Sequence, residues 1–580
     1  MGSHVDVNFR FSRIEIENFR GLSELALDFP EKGPLAIVGP NNAGKSTVLD
    51  AIAMSMEGPS AHGFVPDEHD YYCTRTGERE KTFTIRLRFS ASNDHALPAV
   101  RGAAGSPQPV HGAIVSGKTS SKGEHSHGIA LMGSDGKPLS MLTSVPMSKG
   151  DKEVWADRSF GGFKRNARWY EIDDARPEVW LLRPSNLHVS LFTWKTGPLQ
   201  RLSRLLVRKF MDEKWEFTYN DKPHKMPTAI EKAHAFFRSA VAEFPFWKDD
   251  LKPKLTETLT QYLGRQASIE LRPDLKTLEE WMAQQLLFGF AADGGGAVTP
   301  LDRMGHGWQS LVRIACLEVL SQYPEEVSRQ KVALLFEEPE SYLHPHLSRK
   351  LRAVLDRLAK NGWLVVLTTH SPDFISFNSC QTIARLSRTG DDVDVATLAV
   401  EGIEDAAKFQ ERLDERGGHE MIFAQRAVLC EGKDDAFALR SYLVRRKKLD
   451  LDGMSVSIIQ AGNVDNLPAF AGMAKQLHIP WCAVSDEDKQ ADGSIKHNTK
   501  VARDKLDIAQ GSKDSQVLWP VDLETCFGLT GRKAKPQWQA ENIDALDDVT
   551  LEARHPDFVA AAERVRLWIE GGVGSGPAPT

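Results

Sequence analysis

The chain has 580 residues, 41% hydrophobic and 26% charged, which is the composition of a globular protein with room for roughly three or four domains. No run of about 18 apolar residues offers a membrane span, Met1-Gly2-Ser3-His4 lacks the apolar core of a signal peptide, and the 6 cysteines form no C-x-x-C pair, so neither a zinc site nor a disulfide framework is indicated and a reducing cytoplasm is expected. A net charge of −7, from 72 basic and 79 acidic residues, excludes nucleic-acid binding by the global field and leaves that task to a local basic groove.

Taken in order, residues 12–16 and 25–29 alternate and read as strands around Asn18-Phe19-Arg20-Gly21. Leu35-Ala36-Ile37-Val38 reads as a short buried strand. Gly39-Pro40-Asn41-Asn42-Ala43-Gly44-Lys45-Ser46 then fits G-x-x-x-x-G-K-[ST] at every fixed position, and Thr47 begins a stretch of helical apolar spacing. Strand, glycine turn and helix is the context this phosphate loop requires. Its glycines let backbone N–H groups converge on phosphate oxygens, and the helix N-terminus adds positive potential. Gly39, Asn41, Asn42, Gly44, Lys45, Ser46 and Thr47 are therefore expected to hold ATP, with Lys45 on the β- and γ-phosphates and Ser46 on Mg²⁺.

This opening resembles ABC-type ATPases of the SMC and recombination-repair kind. The resemblance implies that Arg20 lies near the nucleotide and that Asp70, in Asp67-Glu68-His69-Asp70-Tyr71, stands where such ATPases place a metal- and water-sensing residue. Residues 82–89 alternate as a strand, and 91–150 read as loops and hairpins of an antiparallel lobe. Residues 199–212, 228–243 and 275–289 have helical spacing, so 196–292 is expected to be a helical insertion that serves dimerisation. Gly294-Gly295-Gly296 marks a hinge or loop.

Gly305-His306-Gly307-Trp308-Gln309-Ser310 resembles the ABC signature loop, which implies that Gly307 and Gln309 cap the γ-phosphate of another subunit. Val332-Ala333-Leu334-Leu335-Phe336-Glu337-Glu338 is an apolar strand ending in acids, the Walker B form. Glu337 is expected to hold Mg²⁺ and Glu338 to polarise the attacking water. Ser341-Tyr342-Leu343-His344-Pro345 looks like the loop that crosses the dimer interface, and His370 matches the switch histidine at the γ-phosphate. The ATPase halves are placed at 5–195 and 293–415.

From 420 to 570 four strand-like segments, each ending near acids, alternate with helical stretches, the pattern of a parallel sheet with helices on both faces. Glu431-Gly432 ends the first and Asp435 follows it. Asp486-Glu487-Asp488 ends the third, and Asp522-Leu523-Glu524 the fourth. Clustered carboxylates suit Mg²⁺ or Mn²⁺. Glu-Gly and Asp-x-Asp at these strand ends resemble the Toprim domain, which implies that Glu431, Asp486 and Asp488 are catalytic and bind metal.

An ABC-type ATPase followed by Toprim is similar to the OLD family of endonucleases, including the nuclease subunit of Gabija anti-phage systems. The fold class is thus α/β, an ABC-type ATPase with a helical dimerisation insertion and a C-terminal Toprim domain. The resemblance implies that Asp435, Glu524 and a later lysine, Lys535 or Lys533, complete a two-metal site. It implies an ATP-regulated DNA endonuclease in anti-phage defence, a homo-oligomer of two or more copies that acts on DNA, with no membrane and with a helicase partner left open. The alternatives are an ATP-gated DNA clamp and a topoisomerase- or primase-like enzyme. The tail from 571 to 580 is expected to be disordered.

Overall fold

The structure, a computed structural model, describes residues 9–57, 67–91, 97–101, 107–121, 125–139, 159–160, 163–164, 178–184, 202–203, 206, 216–219, 222–225, 243–273, 286–292, 299–300, 303–323, 332–341, 343–377, 381–399, 410–411, 413, 418–489, 492–510, 516–528 and 543–571. The chain forms two compact units. The first comprises Met1–Ile37, Asn42–Phe374 and Arg388–Asp394, and the second Val38–Asn41, Ile375–Ser387 and Val395–Thr580.

In the first unit, five strands form an antiparallel sheet in the order Leu22–Asp28, Phe9–Phe19, Thr82–Ala91, Gly112–Thr119, His125–Met132. The strand Thr82–Ala91 shows why. Phe83, Ile85, Leu87 and Phe89 are buried, while Thr84, Arg86 and Arg88 alternate with them on the wetter face. Arg86 and Arg88 pair across the sheet with Glu17 and Glu15.

The strands Glu178–Leu182, Val332–Glu337, Leu364–Thr368 and Leu35–Val38 lie side by side in that order, all parallel. Their runs are apolar without alternation because helices cover parallel sheets on both faces. The helix Lys45–Glu57 follows the phosphate loop and buries Val48, Leu49, Ile52, Met54 and Met56.

The stretch expected to be a helical insertion is mixed. Its described helix is Lys252–Leu263, entered through a π-turn at Phe246–Leu251 and closed by Gly264 at φ 66°. Leu286–Ala292, the end of an expected helix, is instead a strand that pairs antiparallel with Ala267–Pro273. The reason is physical: Phe288 and Phe290 flank a glycine, and a partner strand 13 residues earlier, with Pro273 opposite Leu286, supplies the backbone bonds. Residues 202, 203 and 206 are helical as expected. The expected helix at 228–242, residues 275–285 and the glycine hinge at 294–296 lie outside the described residues. Lys252–Leu263 packs on the helix His306–Leu320, and the Tyr262 hydroxyl bonds to Glu318 there. Just before the helix, Asp250 accepts from Tyr323 at 2.6 Å.

In the second unit four parallel strands stand in the order Val456–Gln460, Arg426–Cys430, Trp481–Asp486, Gln516–Trp519. The helices Lys433–Arg440, Leu467–Gln476 and His497–Gln510 fall where the apolar spacing places them. Two further helices, Asp548–Arg554 and Pro556–Ile569, were not anticipated. The second of them inserts Phe558, Ala562, Val565 and Ile569 into the core beside Tyr442 and Trp519. The tail from 572 lies outside the described residues. Among the described residues no helix is long and apolar enough to cross a membrane.

Candidate functional site

The phosphate loop has the backbone its glycines permit. Gly39 sits at φ 141°, where a Cβ would lie 2.2 Å from the Leu386 carbonyl oxygen. Gly44 sits at φ 98°, with the Leu22 side chain 2.6 Å from where a Cβ would be. No larger residue fits either place. Asn41 and Asn42 are exposed, Asn42 at φ 65°, and Thr47 is half-buried at the helix start. Lys45 is buried, and burial lowers its pKa against the opposing pull of Glu338 and Glu337. The Ser46 hydroxyl donates to the Glu337 carboxylate. The two groups expected to share Mg²⁺ are therefore already in contact.

Glu338 stands at φ 43°, in a region that non-glycine residues avoid, and its N–H donates to the Thr368 carbonyl at 3.0 Å. That bond ties the acid-ended strand to the strand before His370. Glu340, two residues beyond Glu338, also has a part in this site. Its Oε1 accepts from the Thr369 hydroxyl at 2.9 Å and from the His370 N–H at 2.7 Å. Burial raises its pKa. Burial and the charge of Lys45 lower that of His370, which favours the neutral imidazole.

Arg20 does lie in this neighbourhood, at φ 52°, bonded to Asp50 at 2.5 Å and to Asp70 at 3.3 Å. Asp70 is 4% exposed and closes a capping box with Asp67, so it serves as the anchor of Arg20. Sequence reasoning missed Arg183. It follows the strand Glu178–Leu182, bonds to Asp50 and sits 3.3 Å from Glu337 as an ion pair. Its one local signal is a basic residue at the end of an apolar strand. Two arginines thus share Asp50, and one of them braces Glu337.

Gly307 is exposed at the start of the helix His306–Leu320. Gln309 is 3% exposed and donates its amide to the Met304 carbonyl at 2.9 Å, which fixes the turn ahead of the helix.

In the second unit the acids gather at the C-terminal edge of the parallel sheet. The Asp486 N–H donates to Glu431 at 3.2 Å, and the Leu523 N–H donates to Asp486 Oδ1 at 3.0 Å. Asp435 accepts from the Gly432 N–H at 2.7 Å and from the Trp519 indole at 2.7 Å. Burial, then the neighbouring charges of Asp435 and Glu431, pushes Asp486 up to about 8. Burial, opposed by the Gly432 N–H and assisted by Glu431, pushes Asp435 up to about 7. Burial also raises Glu431.

Asp488 behaves oppositely. Burial alone would raise it, but bonds from Lys496 and Thr499 outweigh that and lower its pKa. Its backbone is left-handed, at φ 52°, and its N–H donates to the Val521 carbonyl at 2.9 Å. Val521 is itself at φ 67° and 40% exposed, in the turn that leads to Leu523. Glu524 lies half-buried on the short helix Leu523–Cys526, and from this turn it is Asp522 whose charge raises Asp486. Lys533 and Lys535 lie outside the described residues.

The donors are all oxygen, and burial followed by mutual repulsion raises Glu431, Asp435 and Asp486, so the set fits a hard divalent cation in chemistry. Among the described residues no three His, Cys, Asp or Glu side chains are already arranged around a cation position. Both oxygens of Asp435 and of Asp488, Oδ1 of Asp486 and Oε2 of Glu431 accept from backbone and side-chain donors.

A family model described as AAA ATPase domain matches residues 10–164 and 201–375. The chain belongs to that family. A second model, described as the TOPRIM domain of overcoming-lysogenization-defect-like proteins, matches residues 422–488 of the same AAA ATPase chain. That match covers Glu431, Asp435, Asp486 and Asp488. A relative named OLD nuclease, from Thermus scotoductus, is 25% identical over 573 residues, 92% of this chain and 95% of its own. The Old nuclease of Escherichia phage P2 is 22% identical over 230 residues, 38% of this chain and 39% of its own. The solved SmcHead bound to the C-winged helix domain of ScpA is 16% identical, with a TM-score of 0.41, over 69% of this chain and 99% of its own.

Proposed function

We propose that this AAA ATPase chain is an ATP-binding nuclease of the OLD kind, a divalent-metal-dependent DNA endonuclease whose TOPRIM domain cuts and whose ATPase unit regulates. The observation that carries the reading is the acid group at the TOPRIM sheet edge. Burial and mutual repulsion drive Asp486 to about 8 and Asp435 to about 7 there. Structural acids on a surface have no such need for a cation.

Glu431, Asp435, Asp486 and Asp488 would hold the metals, with Glu524 alongside. A divalent cation bound there supplies Lewis-acid activation of water and neutralises charge on the leaving 3′-oxygen. The protein's own work is to hold these carboxylates in register. Gly432, Leu523 and Trp519 do this by donating to them. In the ATPase unit, Lys45 would meet the β- and γ-phosphates, Ser46 and Glu337 would hold Mg²⁺, and Glu338 would orient the attacking water. Gly307, exposed at the helix start, would act on nucleotide in a second copy, while the buried Gln309, contrary to expectation, would only fix the turn that presents it; the working protein would then be a homo-oligomer of two or more chains. A role in anti-phage defence, cytoplasmic location and a helicase partner belong to the same family reading.

Incubation of supercoiled plasmid with protein and Mn²⁺, with and without ATP, tests it. Nicked or linear product that disappears in Asp486→Ala supports the nuclease. Ladders of topoisomers, or a gel shift without cleavage, replace it by the topoisomerase-like enzyme or the clamp.

A further inference from the structure

Beside the TOPRIM acids stands a cation that the nuclease reading does not use. The loop leaving Asp488 closes on itself: Lys489 and Ile495 bridge antiparallel, and the Lys496 N–H returns to the Asp488 carbonyl at 3.3 Å. The Lys496 ammonium bonds to Asp488 Oδ1. The Thr499 hydroxyl takes Asp488 Oδ2 at 2.6 Å, and Arg503 donates to the Asp486 carbonyl at 2.8 Å. Positions 496, 499 and 503 make one stripe along the start of the helix His497–Gln510.

The three partners differ in freedom. Thr499 is 1% exposed, and Arg503 is tied to backbone. The Lys496 side chain is 61% exposed, against 15% for Asp488. A compact ammonium on a flexible four-carbon stem is a movable point charge, unlike the fork of Arg503. It can leave Asp488 without breaking any packing.

We propose that Lys496 is an internal counter-ion: it holds Asp488 in place until a divalent cation arrives, yields Oδ1 to the metal, and then turns its ammonium to a non-bridging oxygen of the scissile phosphate. The inference rests on the nuclease reading. An ammonium and a divalent cation repel strongly at the separation one carboxylate oxygen imposes, so the two alternate there. Released, the ammonium remains within a side-chain length of Asp488 and would stabilise charge that builds on a phosphate held there. Lys496 makes and breaks no covalent bond.

Lys496→Met and Lys496→Arg separate this role from simple support. Mn²⁺ binding is measured by calorimetry without DNA, and plasmid cleavage at saturating Mn²⁺. Lys496→Met should bind Mn²⁺ roughly 2- to 5-fold more tightly, because a competing positive charge is gone. It should nevertheless cleave roughly tenfold or more slowly, and Lys496→Arg should recover part of that rate. ATP turnover, for which Lys45, Glu337 and Glu338 lie in the other unit, and the thermal melt check folding, and Lys496→Gln repeats the comparison if the methionine perturbs either. Weaker Mn²⁺ binding together with slower cleavage makes Lys496 a mere prop for Asp488 and overturns the inference alone. An unchanged cleavage rate overturns it too. A parent chain that cleaves no DNA overturns the nuclease reading and takes the phosphate contact with it.

Discussion

The indole N–H of Trp519 donates to Oδ1 of Asp435 at 2.7 Å, a bond between a fully buried ring and a nearly buried acid. Trp519 also stacks on Phe558 at 5.5 Å, so one side chain serves both the core and the acids. We predict that Trp519→Phe costs about 1–3 kcal/mol, from a lost bond and a small cavity. The donor favours the charged carboxylate, so its loss raises the Asp435 pKa further. The Mn²⁺ requirement should therefore rise at pH 7 and approach the parental value at pH 8.5. Lower stability with an unchanged Mn²⁺ midpoint would leave Trp519 a core residue only.

The pKa values also set the sign of a pH effect. Asp486 moves from 3.8 to about 8 and Asp435 from 3.8 to about 7, so the folded state binds more protons than the unfolded one between those limits. Stability of the metal-free protein contributed by these groups is then lost as pH rises from about 4 toward 8. Asp488, lowered below 3.8, contributes in the opposite sense and only in acid. We predict that the TOPRIM melting temperature falls between pH 5 and pH 8.5 without metal, and that Mn²⁺ reverses the trend while releasing protons. A melting temperature that climbs over this range in metal-free buffer would reject the acid cluster as drawn.

In the ATPase unit, Lys45→Ala should abolish nucleotide binding, whereas Glu338→Gln should keep it and slow hydrolysis roughly 10²–10⁴-fold. Fluorescent-nucleotide binding and phosphate release measured on the same preparations decide this. Parental hydrolysis in both variants removes the site assignment.

Arg183 gives a prediction of its own. Its guanidinium bonds to Asp50 and braces Glu337, and all three side chains are partly shielded from water. Arg183→Gln should cost about 1–3 kcal/mol and raise the Mg²⁺ needed for half-maximal ATP hydrolysis, with a smaller change at saturating Mg²⁺. A fall confined to the maximal rate would mean that Arg183 does not position the Glu337 carboxylate.

What could be read from the residues alone follows from how locally each feature is determined. Gly39, Gly44 and Lys45 are spaced by a backbone conformation that only that spacing satisfies. The strand ends carrying Glu431, Asp486 and Asp488 were legible because buried parallel strands are uninterrupted apolar runs, and acids beyond them stand out. The strand Leu286–Ala292 was not, because a short apolar run has no period of its own and its state is set by Ala267–Pro273. Arg183 and Lys496 escaped notice for the same reason at the side-chain level. Arg183 gains its meaning from Asp50, 133 positions away, and Lys496 from a loop that returns to Asp488. The helix Pro556–Ile569 does carry local apolar spacing, with Phe558, Ala562, Val565 and Ile569 on its buried face.

Val521 is an exposed, β-branched residue in a left-handed turn, a choice that local sterics disfavour and that no burial rewards. We predict that Val521→Gly or Val521→Asn raises the melting temperature, since either relieves strain of about 1–3 kcal/mol. The carbonyl of that residue holds the Asp488 N–H, and its neighbour Leu523 holds Asp486. Directed evolution for heat resistance alone would therefore select changes at position 521 early, and would loosen the turn on which both Asp486 and Asp488 hang. A library screened for survival at high temperature and counter-screened for DNA cutting should recover valine at 521 only in the second arm.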